Sequence, residues 1–99
     1  MRLTNQQIAA IRAIVEEEAG SSARTLVFGS RLHDQLRGGD VDLLVTVDDP
    51  EPNPAWLVAR LEARISRSLG GRSVDVVLAA PNLQRHAIHH FAENEGEPL

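Results

Sequence analysis

Cysteine is absent from this 99-residue chain, and so is lysine: all ten basic residues are arginine. Without cysteine there is no disulfide and no thiolate metal site, which suits a reducing compartment. Without lysine there is no Walker-type phosphate lysine, no Schiff base and no lysine nucleophile. A charged side chain that holds a phosphate must then be an arginine, which can grip it bidentately. Tyrosine is missing too, and the aromatics reduce to Phe28, Trp56 and Phe91, too few for a platform that stacks successive bases. No apolar run is long enough to span a bilayer, and the opening MRLTNQQ lacks the apolar stretch of a signal peptide. The net charge of −4 argues against a broad nucleic-acid surface. Together these absences predict a soluble, cytoplasmic protein that binds neither membrane nor nucleic acid.

What is present is an ordinary globular composition, 42% apolar and 24% charged, in a length that suits a single domain over residues 1–99. Thr4 to Ala19 has helical spacing, with Ile8, Ile11, Ile14 and Val15 on one face. Thr4 and Gln7 form a capping box there, and Gly20 a stop. Arg24 to Phe28 reads as a strand ending at Gly29-Ser30, residues 31–39 as a loop, and Val41 to Val47 as a second strand. DDPEPNP, residues 48–54, turns into a helix that runs to about Leu69 and buries Leu57, Val58, Leu61, Ile65 and Leu69. Gly70-Gly71 closes it. Ser73 to Ala79 reads as a third strand, and a last helix from Leu83 to about Glu93 is expected to bury Leu83, Ala87, Ile88 and Phe91. The order α-β-β-α-β-α predicts an α/β (α+β) fold: a small mixed sheet of three or more strands with helices mainly on one face.

Within this frame FGSRLHDQLRGGDVDLLV, residues 28–45, stands out. Asp40 and Asp42 are two apart at a strand entrance and so project to the same side. Asp75 lies within SVDVV, where aspartate is disfavoured, and joins the pair if its strand is adjacent. Clustered carboxylates repel unless a cation neutralises them, and magnesium is the compensator that accepts hard oxygen ligands while leaving positions for phosphate oxygens. Gly29-Ser30 supplies the other half: a backbone that a ligand can approach closely, with amides and a hydroxyl for phosphate, and Arg31 and Arg37 near in sequence. Taken singly, each element has a plainer reading as a turn, a solvated edge or an ion pair. In this order they point to phosphoryl or nucleotidyl transfer.

The same stretch resembles the nucleotidyltransferase signature of the DNA polymerase β superfamily, Gly-Ser followed by D-x-D on the next strand. It looks most like the minimal, MNT-type prokaryotic domains. The resemblance implies the nucleotidyltransferase fold, with Gly29, Ser30 and Arg31 holding the nucleotide phosphates and Asp40 and Asp42 binding two Mg2+ ions. Asp75 would complete the metal site nearer the attacking hydroxyl and help to deprotonate it. Gly39 stands where the family often has serine, in a slightly shorter loop, and Arg37 has no matched role. The implied activity is transfer of AMP from ATP to a hydroxyl. By the same resemblance the partner is a small helical HEPN protein, the toxin of a toxin–antitoxin pair in which this chain is the AMPylating antitoxin. Two alternatives stand beside it: a non-catalytic nucleotide-binding or partner-neutralising module of this fold, and a subunit acting on a small, aminoglycoside-type acceptor. A homo-oligomer stays open.

Three further features have plain readings. His86 and His90 are four apart on the last helix but have no evident third metal ligand, so a solvated or partner-facing helix is expected. Trp56, Arg60, Arg64 and Arg67 make a basic stripe on the middle helix, expected to be a solvated face balanced by nearby acids or a partner contact. Glu16-Glu17-Glu18 sits at a helix C-terminus against the helix dipole, where solvation suffices as an explanation.

Overall fold

The computed structural model describes residues 3–29 and 41–99. Among these, three helices and four strands follow in the order α1 (Asn5–Ala19), β1 (Arg24–Phe28), β2 (Val41–Thr46), α2 (Pro54–Ser68), β3 (Val74–Ala79), α3 (Ala87–Glu95) and β4 (Glu97–Pro98). The strands form one mixed sheet in the order β3-β2-β1-β4. β2 and β3 run parallel, with α2 as the crossover between them, while β1 pairs antiparallel with both β2 and β4. The α+β architecture with a mixed sheet is thus the one expected from the sequence, and the short β4 is an added edge strand.

Strand alternation divides the chain into two apolar layers. Val41, Leu43 and Val45 of β2 and Val74, Val76 and Leu78 of β3 face Ile11, Ile14 and Val15 of α1 and Leu57, Leu61 and Ile65 of α2. The intervening positions face the other way, where Phe28, Leu44 and Ala79 meet Ala92 of α3. Two helices therefore share one face and a single short helix covers part of the other.

α1 begins where side chains satisfy its first free amides. The Thr4 hydroxyl accepts from the Gln7 N–H at 3.0 Å, and the Gln7 side-chain oxygen accepts from the Thr4 N–H at 2.8 Å, the expected capping box. α2 starts with Pro54 in its first turn, a position that needs no N–H. Its expected arc is buried at Leu57, Leu61, Ile65 and Leu69, with Val58 half-buried beside the same core.

The last helix departs from the sequence reading. It starts at Ala87, four residues later than the spacing suggests, and buries His89 and Ala92. Ala87 is exposed, and Ile88 and Phe91 are 41% and 49% exposed. Three hydrogen bonds accompany the shift. Asn82 is tied to the turn after β2, where it accepts from the Glu51 N–H at 2.8 Å and donates to the Glu51 carbonyl at 2.9 Å. The helix follows from its N-cap His86, whose backbone N–H donates to His89 Nδ1 at 3.0 Å.

α1 and α2 are also clasped by charge. Arg60 donates two hydrogen bonds to the Glu18 carboxylate at 2.8 and 2.7 Å, and Arg64 bridges Glu18 and Glu17 at 2.8 and 2.7 Å. Glu17 and Glu18 at the end of α1 are therefore partners of the α2 stripe rather than merely solvated charges. Hydrogen bonds from Arg60 and then Arg64 hold the Glu18 carboxyl down at about 2, against an ordinary 4.5.

Candidate active site

The parallel pairing of β2 and β3 sets Asp42 directly opposite Asp75. β1 extends the same row, with Phe28 opposite Asp42. The neighbours of both aspartates, Val41 and Leu43 on β2 and Val74 and Val76 on β3, are buried against α1 and α2. Alternation therefore sends Asp42 and Asp75 to the opposite side, the α3 face. Asp42 is half-buried there and Asp75 exposed. Adjacent strands lie about 4.8 Å apart, so two carboxylates face each other across one strand spacing.

Two hydrogen bonds hold this end of the sheet in register. The Val41 N–H donates to the Ser73 carbonyl at 3.0 Å, joining the entrances of β2 and β3. On the outer edge of β3, the Val76 N–H donates to Glu62 Oε2 of α2 at 2.9 Å. Glu62 thus positions the strand that carries Asp75. Nothing in the sequence marked it, because a glutamate on the flank of an amphipathic helix reads as a solvated charge.

Gly29 closes the row at the end of β1. Its φ of +74° lies in the left-handed region, and a Cβ built on it would stand 2.5 Å from Asp42 Oδ2 and 3.3 Å from Cγ. The Asp42 carboxylate therefore rests over the bare glycine backbone. The glycine half of the motif and its aspartate half are in contact, which requires glycine on both conformational and steric grounds.

Of the predicted site residues, Gly29, Asp42 and Asp75 are brought together at one end of the α3 face. Ser30, Arg31 and Asp40, together with Arg37, lie outside the described residues. Among the described residues no group of three or more His, Cys, Asp or Glu side chains forms a metal cluster. The Asp42–Asp75 pair is a set of two hard-oxygen donors, and it fits a magnesium-type ion that fills its remaining positions with water and phosphate oxygens.

That geometry agrees with the comparison to known families: a family model described as a nucleotidyltransferase domain matches residues 8–95. The chain belongs to the nucleotidyltransferase domain family. Neither the curated proteins nor the solved structures offer a match to it. The matched span runs from α1 through α3 and includes both motif aspartates and Gly29. Domains of this family transfer a nucleotidyl group, generally from a nucleoside triphosphate with a divalent metal.

The remaining features of the nucleotidyltransferase domain lie away from the carboxylates. A cavity of about 580 Å³ opens at the other end of β1, where Arg12, Arg24, Glu16 and Glu93 bring opposed charges together. His89 is buried, and its Nε2 lies 3.0 Å from the Leu78 carbonyl. With Nδ1 accepting from His86, the geometry sets the ring proton on Nε2, donated to that carbonyl. His89 is a docking residue for α3, whereas His86 and His90 are exposed as expected. Arg60 lies 5.0 Å from the centre of the Trp56 ring and belongs to the α1–α2 clasp. Among the described residues no helix is long and apolar enough to cross a membrane.

Proposed function

We propose that this nucleotidyltransferase domain transfers AMP from ATP to a hydroxyl, with magnesium held by Asp42 and Asp75 and by Asp40 next to β2. The observation that carries the reading is the in-register Asp42–Asp75 pair, with the Asp42 carboxylate packed on the bare backbone of Gly29. A pair of facing carboxylates is unfavourable by itself, and the close glycine contact constrains the same point further. Both features make sense where a cation and phosphate oxygens share the site.

Bound magnesium would neutralise charge on the phosphates and lower the pKa of the attacking hydroxyl. The residues supply the rest. Gly29 leaves room for the Asp42 carboxylate against its backbone, and Ser30 and Arg31 follow it in the chain to contact the triphosphate. Asp75, exposed at the entrance of β3, faces the acceptor side and takes up the hydroxyl proton. The acceptor oxygen forms a bond to the α-phosphorus as the bond to pyrophosphate breaks. Most of the acceleration then comes from positioning and preorganised charge.

The acceptor we favour is a hydroxyl on a protein, and specifically on a small helical HEPN toxin for which this chain is the AMPylating antitoxin in the cytoplasm. The resemblance of residues 28–45 to minimal nucleotidyltransferases supports that choice. The test is transfer of label from α-labelled ATP with magnesium, in the presence of the product of the adjacent gene. Label on that protein, absent with Asp42→Asn, supports the reading. Label on an aminoglycoside-type small molecule alone would replace the acceptor. Tight partner binding without any transfer would replace catalysis by neutralisation through contact.

A further inference from the structure

α3 carries two large apolar side chains that the core does not use. Ile88 is 41% and Phe91 49% exposed. Three residues apart on a helix, they lie on one face, while His89 and Ala92 turn toward the sheet. The Phe91 ring meets the Phe28 ring edge to face, with centroids 6.2 Å apart. Phe28 is the cross-strand partner of Asp42, and Asp42 of Asp75. One continuous row therefore runs across the α3 face: Asp75, Asp42, Phe28, and Phe91 against Phe28.

We propose that Phe91, with Ile88 beside it, is the shelf on which the nucleobase of the triphosphate rests. This rests on the reading of Asp42 and Asp75 as the end of the site that takes the phosphates. A nucleotide has a charged end and a flat apolar end, and the row offers carboxylates for a metal-bound triphosphate at one side and an exposed aromatic ring at the other. Phe28 braces the ring from below, so its exposed surface is held in place rather than free to fold onto the core. The other strongly exposed aromatic, Trp56, does not compete. It sits on α2, which packs against the opposite face of the sheet, and the Arg60 guanidinium lies over its ring. Stacking on a ring depends on the π face that every base has. The shelf therefore holds a base firmly while discriminating weakly between adenine and guanine.

The test separates the two ends of the ligand. Magnesium-ATP and magnesium-tripolyphosphate, which has no base, are titrated by calorimetry into the wild-type chain, Phe91→Ala and Ile88→Ala. The shelf predicts that Phe91→Ala weakens ATP about tenfold, Ile88→Ala less, with tripolyphosphate unchanged in both. Unchanged ATP affinity, or an equal loss for both probes, overturns the shelf and leaves the carboxylate site standing. A wild-type chain that binds neither probe overturns the carboxylate reading and the shelf with it.

A second variant keeps the test independent of any folding defect in Phe91→Ala. Trp56 is the one tryptophan in the chain, so Trp56→Phe/Phe91→Trp places a single indole on the shelf. Quenching of its fluorescence by ATP but not by tripolyphosphate supports the proposal. No quenching at ATP concentrations that calorimetry shows to saturate the site contradicts it.

Discussion

The Asp42 carboxylate lies so close over Gly29 that a methyl group on Gly29 would stand 2.5 Å from Oδ2. The left-handed φ of +74° adds a conformational demand at the same residue. Gly29→Ala must therefore move the carboxylate, the end of β1, or both. We expect a loss of about 1–2 kcal/mol in stability from the backbone alone, with transfer activity falling much further than the fraction of folded protein. Thermal melts alongside activity at a temperature where the variant is folded would separate the two effects.

Asp42 and Asp75 should show the opposite sign in stability and activity. Facing like charges on adjacent strands are unfavourable by some tenths of a kcal/mol. Asp75→Asn, in the absence of nucleotide and magnesium, should leave the melting temperature unchanged or slightly raised. Removing either carboxylate should nevertheless lower transfer by about a hundredfold or more, the scale seen when one preorganised electrostatic group is lost. A melt and a single-turnover assay on each variant check both halves.

The Arg60–Glu18–Arg64 clasp gives a prediction in pH. Hydrogen bonds from the two arginines lower the Glu18 carboxyl from 4.5 to about 2. A group with a depressed folded pKa contributes stability that is fully present above its unfolded value and is lost as pH falls. The loss should run from about 4.5 down to about 2. Glu18→Gln should cost about 1 kcal/mol near neutral pH, on the scale of exposed ion pairs, and should flatten stability across that acid window. Denaturant titrations at a series of pH values, with and without the substitution, measure it.

His89 should matter to α3 out of proportion to its polarity. It is buried and connects the helix start to the Leu78 carbonyl at 3.0 Å. His89→Ala leaves that carbonyl and the His86 N–H without their partner and opens a cavity, a loss of about 2–3 kcal/mol. Hydrogen exchange should show α3 opening first, with β1 and β2 still protected.

The parts of this architecture that depend on period were legible in the sequence. α1, α2 and the three longer strands follow from spacing of 3.6 and 2 and from capping residues such as Thr4 and Gln7. So was the placement of Gly29 at the end of β1 and of Asp42 and Asp75 at strand entrances, because aspartate at a strand entrance and glycine at a strand end break the local pattern. α3 was less legible, since Ile88 and Phe91 mimic a buried stripe and only tertiary contacts reveal that His89 and Ala92 face the sheet. β4, two residues long, has no period to detect. The Glu62 contact with Val76 of β3 and the Glu18 clasp depend on which elements each helix flank meets, and one helix's sequence does not encode that.

The most direct measurement is transfer from α-labelled ATP with magnesium, comparing wild type, Asp42→Asn and Asp75→Asn at equal folded concentration. Labelled AMP joined to an acceptor by the wild type, and lost by about a hundredfold or more in both variants, is the predicted result. Transfer that proceeds equally well without either carboxylate would contradict the placement of the chemistry at the Asp42–Asp75 pair.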